Sequence, residues 1–240
     1  MPALDRSVVA NVPMFAGLNP DEIDAILSEA RSARYAKDTA VFEQGGEAHS
    51  FFLLLHGHLR VEKTTPQGQQ IVVRYVSPGE LFGLAQALVL THYPATAIAA
   101  VDSVALVWPS QAWQRLTTTF PSLAGNALQT VGSRLQDTQN RVLEMANEQV
   151  EQRIAHALLR LARQAGRKIE TGIEIDFPIS RQDVAEMTGT TLHTVSRVLS
   201  AWEQQGLVEG GRQRIVLRDS HRLFAVAEGH GAAAHEKPGC

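Results

Sequence analysis

The chain has 240 residues, of which 44% are hydrophobic and 20% charged, a composition typical of a globular protein with one large or two small domains. The formal net charge of −3 excludes a uniformly basic nucleic-acid coat, and residues 148–240 carry 12 Lys/Arg and 12 Asp/Glu, so any nucleic-acid binding must come from a local patch. A single cysteine, Cys240, excludes a disulfide framework within one chain, no signal-peptide core follows the N-terminus, and the longest apolar run, Phe51 to Leu55, is far too short for a membrane span. We therefore expect a soluble cytoplasmic protein with no membrane partner.

Residues 11–33 are expected to form a short helical lead-in. Asn19 can cap a helix, Pro20 suits a first turn, and Asp21 and Glu22 favour the positive end of the helix dipole. From Tyr35 the sequence changes to short runs of strand-forming residues that are separated by glycine and proline.

Six short strands are predicted between Tyr35 and Trp108. Their punctuation by glycine roughly every 8–12 residues favours a small barrel or jelly roll. The predicted strands are Ala40–Phe42, Ser50–Leu55, Leu59–Lys63, Gln70–Val76, Ala95–Ala100 and Ser103–Trp108.

A long helix is predicted from Pro121 to about Asn147. Its apolar residues recur in steps of four and three over three heptads with polar flanks, which is typical of a coiled-coil seam between two copies of a chain. The alternative is a core helix packed on the strands. The predicted seam, and therefore the predicted dimer contact, consists of Ala124, Leu128, Val131, Leu135, Thr138, Val142 and Met145.

A helix-turn-helix is predicted after a second helix (Glu148 to Gln164) and a small strand pair (Glu170 to Phe177). Gly189 breaks one short helix, and Thr190 or Thr191 can cap the next. The apolar residues of these two helices are Val184, Ala185 and Met187, and then Val195, Val198, Leu199 and Trp202 at helical spacing. The outward face of the second helix carries hydrogen-bond donors and no carboxylate, so it can lie against phosphates and base edges. The alternative to a helix-turn-helix is an ordinary helical hairpin.

A basic hairpin is predicted next, over Leu207 to Leu217, with its turn at Gly210-Gly211. Two arginines near the turn, Arg212 and Arg214, are in position to touch the phosphate backbone. Such a hairpin after a recognition helix is a wing.

These motifs resemble the Crp/Fnr family of bacterial transcription regulators over about residues 12–220. The resemblance is carried by residues 180–185 (SRQDVA), 189–191 (GTT), 194–197 (TVSR) and the wing ending at Ile215. It implies an α+β fold with a cyclic-nucleotide-binding-like β-roll in residues 1–120, a dimerisation helix in 121–147, a winged helix-turn-helix in 148–227 and a disordered tail in 228–240.

The resemblance also implies a homodimer on double-stranded DNA with a palindromic TTG-type site, and RNA polymerase as a further partner. In the family an arginine at the position of Arg197 reads the G, Ser196 lies beside the T, and His193 replaces a usual glutamate. The implied DNA contacts are Arg181, Gln182, Thr191, His193, Thr194, Ser196, Arg197, Ser200, Arg212 and Arg214.

The nucleotide pocket of the family's cAMP-binding members is not reproduced in the sequence. Those members carry glycine-glutamate-leucine for the ribose and an arginine about ten residues later for the phosphate. Gly79-Glu80-Leu81 matches the motif in sequence, but it lies at the turn that precedes the motif in the family. The better alignment puts Leu84 in place of the glutamate. No Lys or Arg lies between Arg74 and Arg115, and a buried phosphate without a cation is costly. We therefore expect no cAMP binding.

The segment Tyr93–Ala97 and the run Thr191–Arg197 resemble the nitrogen-oxide-responsive NnrR and DNR branch of the family, in which haem is the suspected sensor of nitric oxide. On that resemblance His92 is the first candidate for a haem ligand, followed by His49, His56 and His58; a filled core or an inert, non-sensing roll is the alternative. An iron–sulfur cluster is excluded because the N-terminal cysteines of the Fnr branch are missing. The expected effector pocket consists of Leu81, Phe82, Leu84, Leu88, His92, Tyr93 and Thr96, with Val89 beside them.

An enzyme is the contrasting hypothesis. The sequence lacks GxxxxGK[ST], HExxH, GxSxG and CxxC, the common signatures of phosphate loops, zinc sites and nucleophiles. We therefore expect no catalytic residues.

Overall fold

The computed structural model describes residue 9 and residues 12–230, and the chain divides into two compact units between Thr138 and Gln139. The first unit contains a β-roll with flanking helices, and the second contains a helix-turn-helix with a small sheet. The predicted α+β fold class is confirmed. No helix in the described ranges is long and apolar enough to cross a membrane.

The six strands predicted in the first unit are present, each within one residue of its predicted ends. The short helical turn Pro13–Phe15 lies within the predicted helical lead-in, whereas the turn Gln86–Leu88, the strands Arg31–Tyr35 and Leu81–Phe82 and the helix Ala112–Thr119 were not predicted. The elements are α1 (Pro20–Ser28), β1 (Arg31–Tyr35), β2 (Ala40–Phe42), β3 (Ser50–His56), β4 (Leu59–Thr64), β5 (Gln70–Val76), β6 (Leu81–Phe82), β7 (Thr96–Ala99), β8 (Ser103–Pro109), α2 (Ala112–Thr119) and α3 (Pro121–Asn147), the last of which crosses the boundary.

The lead-in helix is shorter than expected. Asn19 does cap α1, since its side chain accepts a hydrogen bond from the Glu22 amide at 3.0 Å and the Glu22 carboxylate accepts one from the Asn19 amide at 2.8 Å. However, α1 ends at Ser28, and the predicted helical residues 31–33 belong to β1. They pair antiparallel with β8, so a contact with a distant strand overrides the local pattern.

Two antiparallel four-stranded sheets form the roll, with strand orders β1-β8-β3-β6 and β2-β7-β4-β5. Successive side chains of a strand point to opposite faces, so β3 contributes Phe52 and Leu54 to one cluster and Phe51 and Leu53 to another. Burial on both faces explains the unbroken apolar run of this strand. The inner cluster, between the sheets, contains Ala48, Phe52, Leu54, Leu59, Val76, Phe82, Ala85, Tyr93, Ala97, Ala99, Ala105 and Val107. The outer cluster contains Phe51, Leu53, Leu81, Leu106 and Trp108 of the sheet, Leu84 just after β6, and Ile23, Ile26, Leu27, Leu116, Leu123 and Ala127 of the helices.

The second unit starts with the last turns of α3 and confirms the second helix, the helix-turn-helix and the hairpin. Its small sheet has the order β11-β12-β10-β9. The elements are α4 (Val150–Ala165), β9 (Gly166–Ile169), β10 (Gly172–Ile175), α5 (Arg181–Thr188), α6 (Leu192–Gln204), β11 (Val208–Gly211), β12 (Arg214–Leu217) and α7 (Ser220–Ala227).

The strand pair and the last helix of this unit differ from the prediction. The strand pair begins at Gly166 instead of Glu170, because a Cβ at Gly166 would lie 2.1 Å from the Ala162 carbonyl oxygen and only glycine lets the chain turn directly from α4 into a strand. Helix α7 was not predicted; the Asp219 side chain caps it by accepting a hydrogen bond from the Arg222 amide at 2.9 Å. Of the predicted disordered tail, residues 231–240 lie outside the described residues.

Candidate functional site

Local hydrogen bonds define both helices of the helix-turn-helix. At the start of α5, Ser180 and Asp183 form a reciprocal cap, with Asp183 N donating to Ser180 Oγ at 3.1 Å and Ser180 N donating to the Asp183 carboxylate at 2.7 Å. Gly189 ends α5 in the left-handed region with φ of 62°. Thr191 caps α6 by accepting from the Thr194 amide at 3.2 Å, which decides between the two cap residues left open by the sequence.

Helix α6 buries one face and presents the other to solvent. Val195, Val198, Leu199 and Trp202 are buried. On the other face Thr191, His193 and Arg197 are exposed, and Thr194, Ser196 and Ser200 are half-buried. Within the described residues the side chains of His193 and Arg197 have no hydrogen bond or ion pair, so their donors are available to a ligand.

Leu192, the first residue of α6, was missed as a candidate. Its side chain is 48% exposed at the start of the helix, where an apolar side chain can contact the methyl group of a thymine. Its position just after the cap was the available signal, but a leucine in a helix is normally assigned to the core.

The hairpin turn lies at Arg212-Gln213 and not at the predicted Gly210-Gly211. Gly211 pairs with Arg214 across the ladder, and Gln213 takes the positive φ of 56°. Gly210 instead lies beside α6: a Cβ there would lie 2.2 Å from Glu203 Oε1, at the end of a flexible side chain. Gly210 therefore lies close to the α6 side chain of Glu203, and Arg212 occupies the exposed tip.

Arg214 differs from Arg212 because two carboxylates hold its guanidinium. Arg214 Nε donates to Glu174 at 2.6 Å and Nη1 donates to Glu209 at 2.8 Å. The hydrogen bond from Arg214 lowers the pKa of Glu174 and also that of Glu209. Arg214 therefore connects the hairpin to β10, and a phosphate would have to displace two carboxylates to reach its guanidinium, so the expected phosphate contact stays a prediction.

The two remaining predicted contacts lie at the start of α5 and are also paired. Arg181 Nη2 lies 3.1 Å from Glu203 Oε1, and Gln182 Nε2 donates to Glu186 at 2.9 Å. Both pairs are partly or fully exposed, and exposed pairs are weak, so DNA phosphates can compete with these carboxylates.

Two arginines that sequence reasoning missed hold the end of α5. Arg141 Nη2 donates to the Met187 carbonyl at 2.9 Å, and Arg153 Nε donates to the Thr188 carbonyl at 3.1 Å. Positive groups at a helix C-terminus satisfy its free carbonyls and complement the helix dipole. The last turns of α3 thereby help to position the helix-turn-helix.

In the first unit, stacked aromatic rings fill much of the roll interior. The Phe42 ring lies 3.9 Å from the Tyr93 ring and the Phe52 ring lies 4.9 Å from the Phe82 ring, centroid to centroid. The Tyr93 hydroxyl donates to the Ser50 carbonyl at 2.6 Å. A cavity of about 300 Å³ remains beside these rings, bordered also by Tyr35 and Glu47.

Comparison with known proteins matches both units of the chain. Residues 32–120 match the cyclic nucleotide-binding domain, and residues 152–226 match the Crp-like helix-turn-helix domain. The chain is 30% identical over 217 residues to the cyclic AMP receptor protein of Thermus thermophilus, covering 90% of this chain and 97% of that protein. The chain belongs to the Crp/Fnr family of transcriptional regulators.

Further Crp/Fnr relatives support the same assignment. The transcriptional activator protein FnrA of Stutzerimonas stutzeri is 27% identical over 209 residues, covering 87% of this chain and 84% of that protein. The crystal structure of a CRP-family transcriptional regulator from Thermus thermophilus matches with a TM-score of 0.70 and 26% identity over 82% of this chain and 96% of that one. FixK2 from Bradyrhizobium japonicum has the same fold, with a TM-score of 0.71 and 24% identity over 81% of this chain and 96% of that one.

The position of the Crp/Fnr nucleotide motif is closely packed in this chain. A Cβ on Gly83 would lie 2.8 Å from the Phe52 ring, and Leu84 is buried in the outer cluster. In the other alignment Glu80 pairs with Arg74 at 2.6 Å and lies 3.7 Å from Arg134. Neither alignment therefore offers an unpaired carboxylate to a ribose.

The structure brings two cations near β6 that the local sequence did not reveal. Arg74 comes from β5, and Arg134 comes from α3, where its guanidinium also donates to the Leu81 carbonyl. Burial, and secondly the neighbouring Arg74, lower the pKa of Arg134 to about 9, so it keeps its charge at neutral pH. The sequence around the motif, between Arg74 and Arg115, contains no Lys or Arg. In the folded unit, however, Arg74 and Arg134 reach the neighbourhood of the motif from other elements.

The residues of the expected effector pocket do not line one pocket, and this expectation is corrected. Leu81 and Leu84 lie in the outer cluster, whereas Phe82 and Tyr93 lie in the inner one, because adjacent residues of β6 face opposite sides. The other three predicted residues are not in either core: Leu88 is half exposed, His92 is exposed, and the half-buried Thr96 accepts a hydrogen bond from the Gln44 amide at 3.0 Å.

The first candidate for a haem ligand, His92, does not fit that role. An axial histidine should project into a sheltered apolar site, but His92 lies on the surface with its Nδ1 2.9 Å from Thr91 Oγ1. The structure also forms no cluster of three or more His, Cys, Asp or Glu suited to a metal ion within its described part.

The predicted seam of α3 is largely uncovered within one protomer. Leu128, Leu135, Val142 and Met145 are 50–72% exposed, and Ala124 and Thr138 are exposed as well. Val131 packs partly against the outer cluster, to which Leu123 and Ala127 also belong. The core side of α3 is therefore a different face, and the seam residues remain available to a second chain.

Proposed function

We propose that this Crp/Fnr regulator binds a palindromic TTG-type operator as a homodimer, with α6 in the major groove. The observation that carries the proposal is the face of α6 on which Arg197 and His193 lie exposed, with no partner among the described residues. The apolar seam of α3 supports the dimer, because a row of exposed leucine and valine side chains is costly unless another surface covers it. A two-fold dimer on a palindrome would place two α6 helices in grooves about one helical turn apart.

Roles for individual side chains follow from the geometry of the bases. Arg197 can donate to O6 and N7 of a guanine, Ser196 would lie beside the T of the half-site, and Leu192 can contact a thymine methyl. A carboxylate at the position of His193 would accept a hydrogen bond from cytosine N4. An imidazole, neutral or charged, cannot do the same job, and we propose that His193 changes the preference at the adjoining base pair. Arg212 would contact a phosphate, and contact with RNA polymerase remains an expectation from the family resemblance.

A binding selection from a library of random duplexes tests the operator proposal. We expect an enriched two-fold symmetric site with TTG in each half, and sedimentation should give two protein chains per duplex. An asymmetric consensus or one chain per duplex would contradict the proposal.

For the roll, we propose that cAMP is not the effector. The close packing of Gly83 on Phe52, the burial of Leu84 and the absence of a cation from Thr91 to Ala97 support this proposal. Calorimetry with cAMP should therefore show no binding at micromolar concentrations, and a saturable isotherm would overturn it. The packed aromatic rings of the interior favour the alternative of a regulator with an inert roll, whereas the cavity of about 300 Å³ beside them has room for another small effector.

Nitric oxide acting through haem remains a prediction from the resemblance to the NnrR and DNR branch. The surface position of His92 and the division of the expected pocket between two clusters argue against it. Haem titration decides the matter: a saturable Soret band that disappears in His92→Ala would restore the prediction, and no saturable band would exclude it.

A further inference from the structure

The cavity of about 300 Å³ in the first unit is lined by residues of β1, β2 and β3, which come from both sheets of the roll. β1 is the end strand of one sheet and β2 is the end strand of the other. Neither Gly83 nor Leu84 borders the cavity. It is therefore separate from the position of the nucleotide motif.

Flat aromatic rings form one wall of this cavity. The rings of Phe42 and Tyr93 stack with an interplanar angle of 16°, and the Phe42 and Phe52 rings lie 5.6 Å apart, centroid to centroid. The Tyr93 hydroxyl donates to the Ser50 carbonyl at 2.6 Å and accepts from the Ser50 amide at 3.2 Å, so the ring is held in place. A fixed stack of rings presents an apolar surface on which a further aromatic ring can pack.

Two hydrogen-bond donors face the cavity from β1. Arg31 is exposed and Tyr35 is half-buried, and neither side chain makes a hydrogen bond or an ion pair in the part of the chain that the structure describes. Burial raises the pKa of Tyr35, and the positive charge of Arg31 opposes that rise, so the guanidinium acts on the hydroxyl. A tyrosine hydroxyl that loses water usually finds a partner. A guanidinium and a hydroxyl together match the two oxygens of a carboxylate.

Two carboxylates at the cavity limit the charge of a ligand. Glu43 and Glu47 border the cavity from the segment after β2, and Glu47 pairs with His49 at 2.8 Å. They repel a doubly charged phosphate about twice as strongly as a single carboxylate at the same distance. The cavity volume lies at the lower end of the range for ligand pockets, about 300–1,000 Å³. A ligand with one ring and one negative charge meets both limits.

We propose that this cavity binds a small aromatic carboxylic acid. Its ring packs against the Phe42 and Tyr93 rings, and its carboxylate accepts hydrogen bonds from Arg31 and Tyr35. An aromatic amine would instead place its positive charge beside Arg31. The proposal rests on the proposed function only in naming a ligand class for a roll that does not bind cAMP, and the binding itself requires neither operator nor dimer.

Calorimetry on the full chain without DNA tests the ligand class. The probes are benzoate, its neutral amide benzamide and the cation benzylamine. We expect benzoate to give a saturable isotherm below about 10 mM and to bind about tenfold more tightly than benzamide, because the hydrogen bonds to a carboxylate are charge-assisted. No saturation by benzoate, or tighter binding of benzamide or benzylamine, would overturn the proposal.

Variants in β1 test the location of the site. Arg31→Gln should raise the benzoate dissociation constant about tenfold and leave that of benzamide unchanged, and Tyr35→Phe should weaken benzoate as well. Arg34→Gln is the matched control, because Arg34 is exposed on the same strand and does not border the cavity. Equal loss of benzoate and benzamide in Arg31→Gln, or no loss of either, would overturn the assigned carboxylate contact.

Excess cAMP separates this proposal from the earlier one on cAMP. We expect benzoate to bind equally well in its presence, since neither residue of the nucleotide motif borders the cavity. Displacement of benzoate by cAMP would show that the two ligands share a site and would overturn the proposed location. Binding of cAMP without displacement would contradict only the proposal that cAMP is not the effector, and the acid site would be retained.

Discussion

Replacing Arg212 by alanine should reduce the salt dependence of operator binding. Arg212 is exposed at the hairpin tip and has no ion pair or hydrogen bond in the described ranges, so its charge is free to neutralise a phosphate. Each neutralised phosphate contributes about −0.9 to the slope of log K against log salt. A dimer carries two hairpins, so the slope should become less negative by about 1.8, and between about 50 and 200 mM salt the wild-type chain should lose roughly 12-fold more affinity than the variant.

Arg214→Ala is the matched control, two residues away on the same hairpin. Because Glu174 and Glu209 hold its guanidinium, its loss should lower the urea midpoint of unfolding and leave the salt slope nearly unchanged. Fluorescence anisotropy on a labelled operator at four salt concentrations measures the salt slope of operator binding for both variants. An unchanged slope in Arg212→Ala, or a large change in Arg214→Ala, would show that the ion pairs of the free protein do not predict which arginines contact DNA.

Three further predictions concern the DNA contact, the dimer and the roll. Arg197→Ala should weaken specific binding by about 1–3 kcal/mol and relax selection at its guanine, and a binding selection with unchanged preference would refute the role. Leu135→Asp should yield monomers in sedimentation and abolish tight operator binding, and persistent dimers would contradict the seam. Burial raises the pKa of Tyr93 above 10.0, so the stability that its neutral form provides is present below pH 10 and is lost as the pH rises through the raised value. Tyr93→Phe should therefore flatten the alkaline loss of stability in urea titrations, and an unchanged slope above pH 10 would contradict this assignment.

The elements with strong local patterns could be predicted from the sequence. Helix α6 shows its buried face by the spacing of Val195, Val198, Leu199 and Trp202, and these four residues are buried. The strands of the roll were recognisable from glycine and proline because those residues mark the turns. Local spacing was sufficient in these elements because the residues that are apolar at regular spacing are also the residues that the fold buries.

The effector pocket could not be predicted, for a physical reason. Leu81 and Phe82 are adjacent and apolar, and composition alone suggests one lining. Their pairing with β3, Phe82 opposite Phe52 and Leu81 opposite Leu53, sends them to different clusters. A two-residue strand has too little pattern to show its register, so the face of each side chain is decided by residues about 30 positions earlier.

The arrangement of charge explains how an electrically neutral region can bind DNA selectively. Residues 148–240 carry as many acidic as basic side chains, which would be a poor general attractant for phosphate. The carboxylates are not spread evenly: Glu174 and Glu209 pair with Arg214, whereas Arg197 and Arg212 have no carboxylate partner in the part of the chain that the structure describes. If Arg214 stays paired when DNA binds, its two carboxylates should lower the non-specific affinity, while the proposed contact of Arg197 with a base would be retained. Since specificity is the ratio of the two affinities, the paired carboxylates should improve discrimination in the proposed complex.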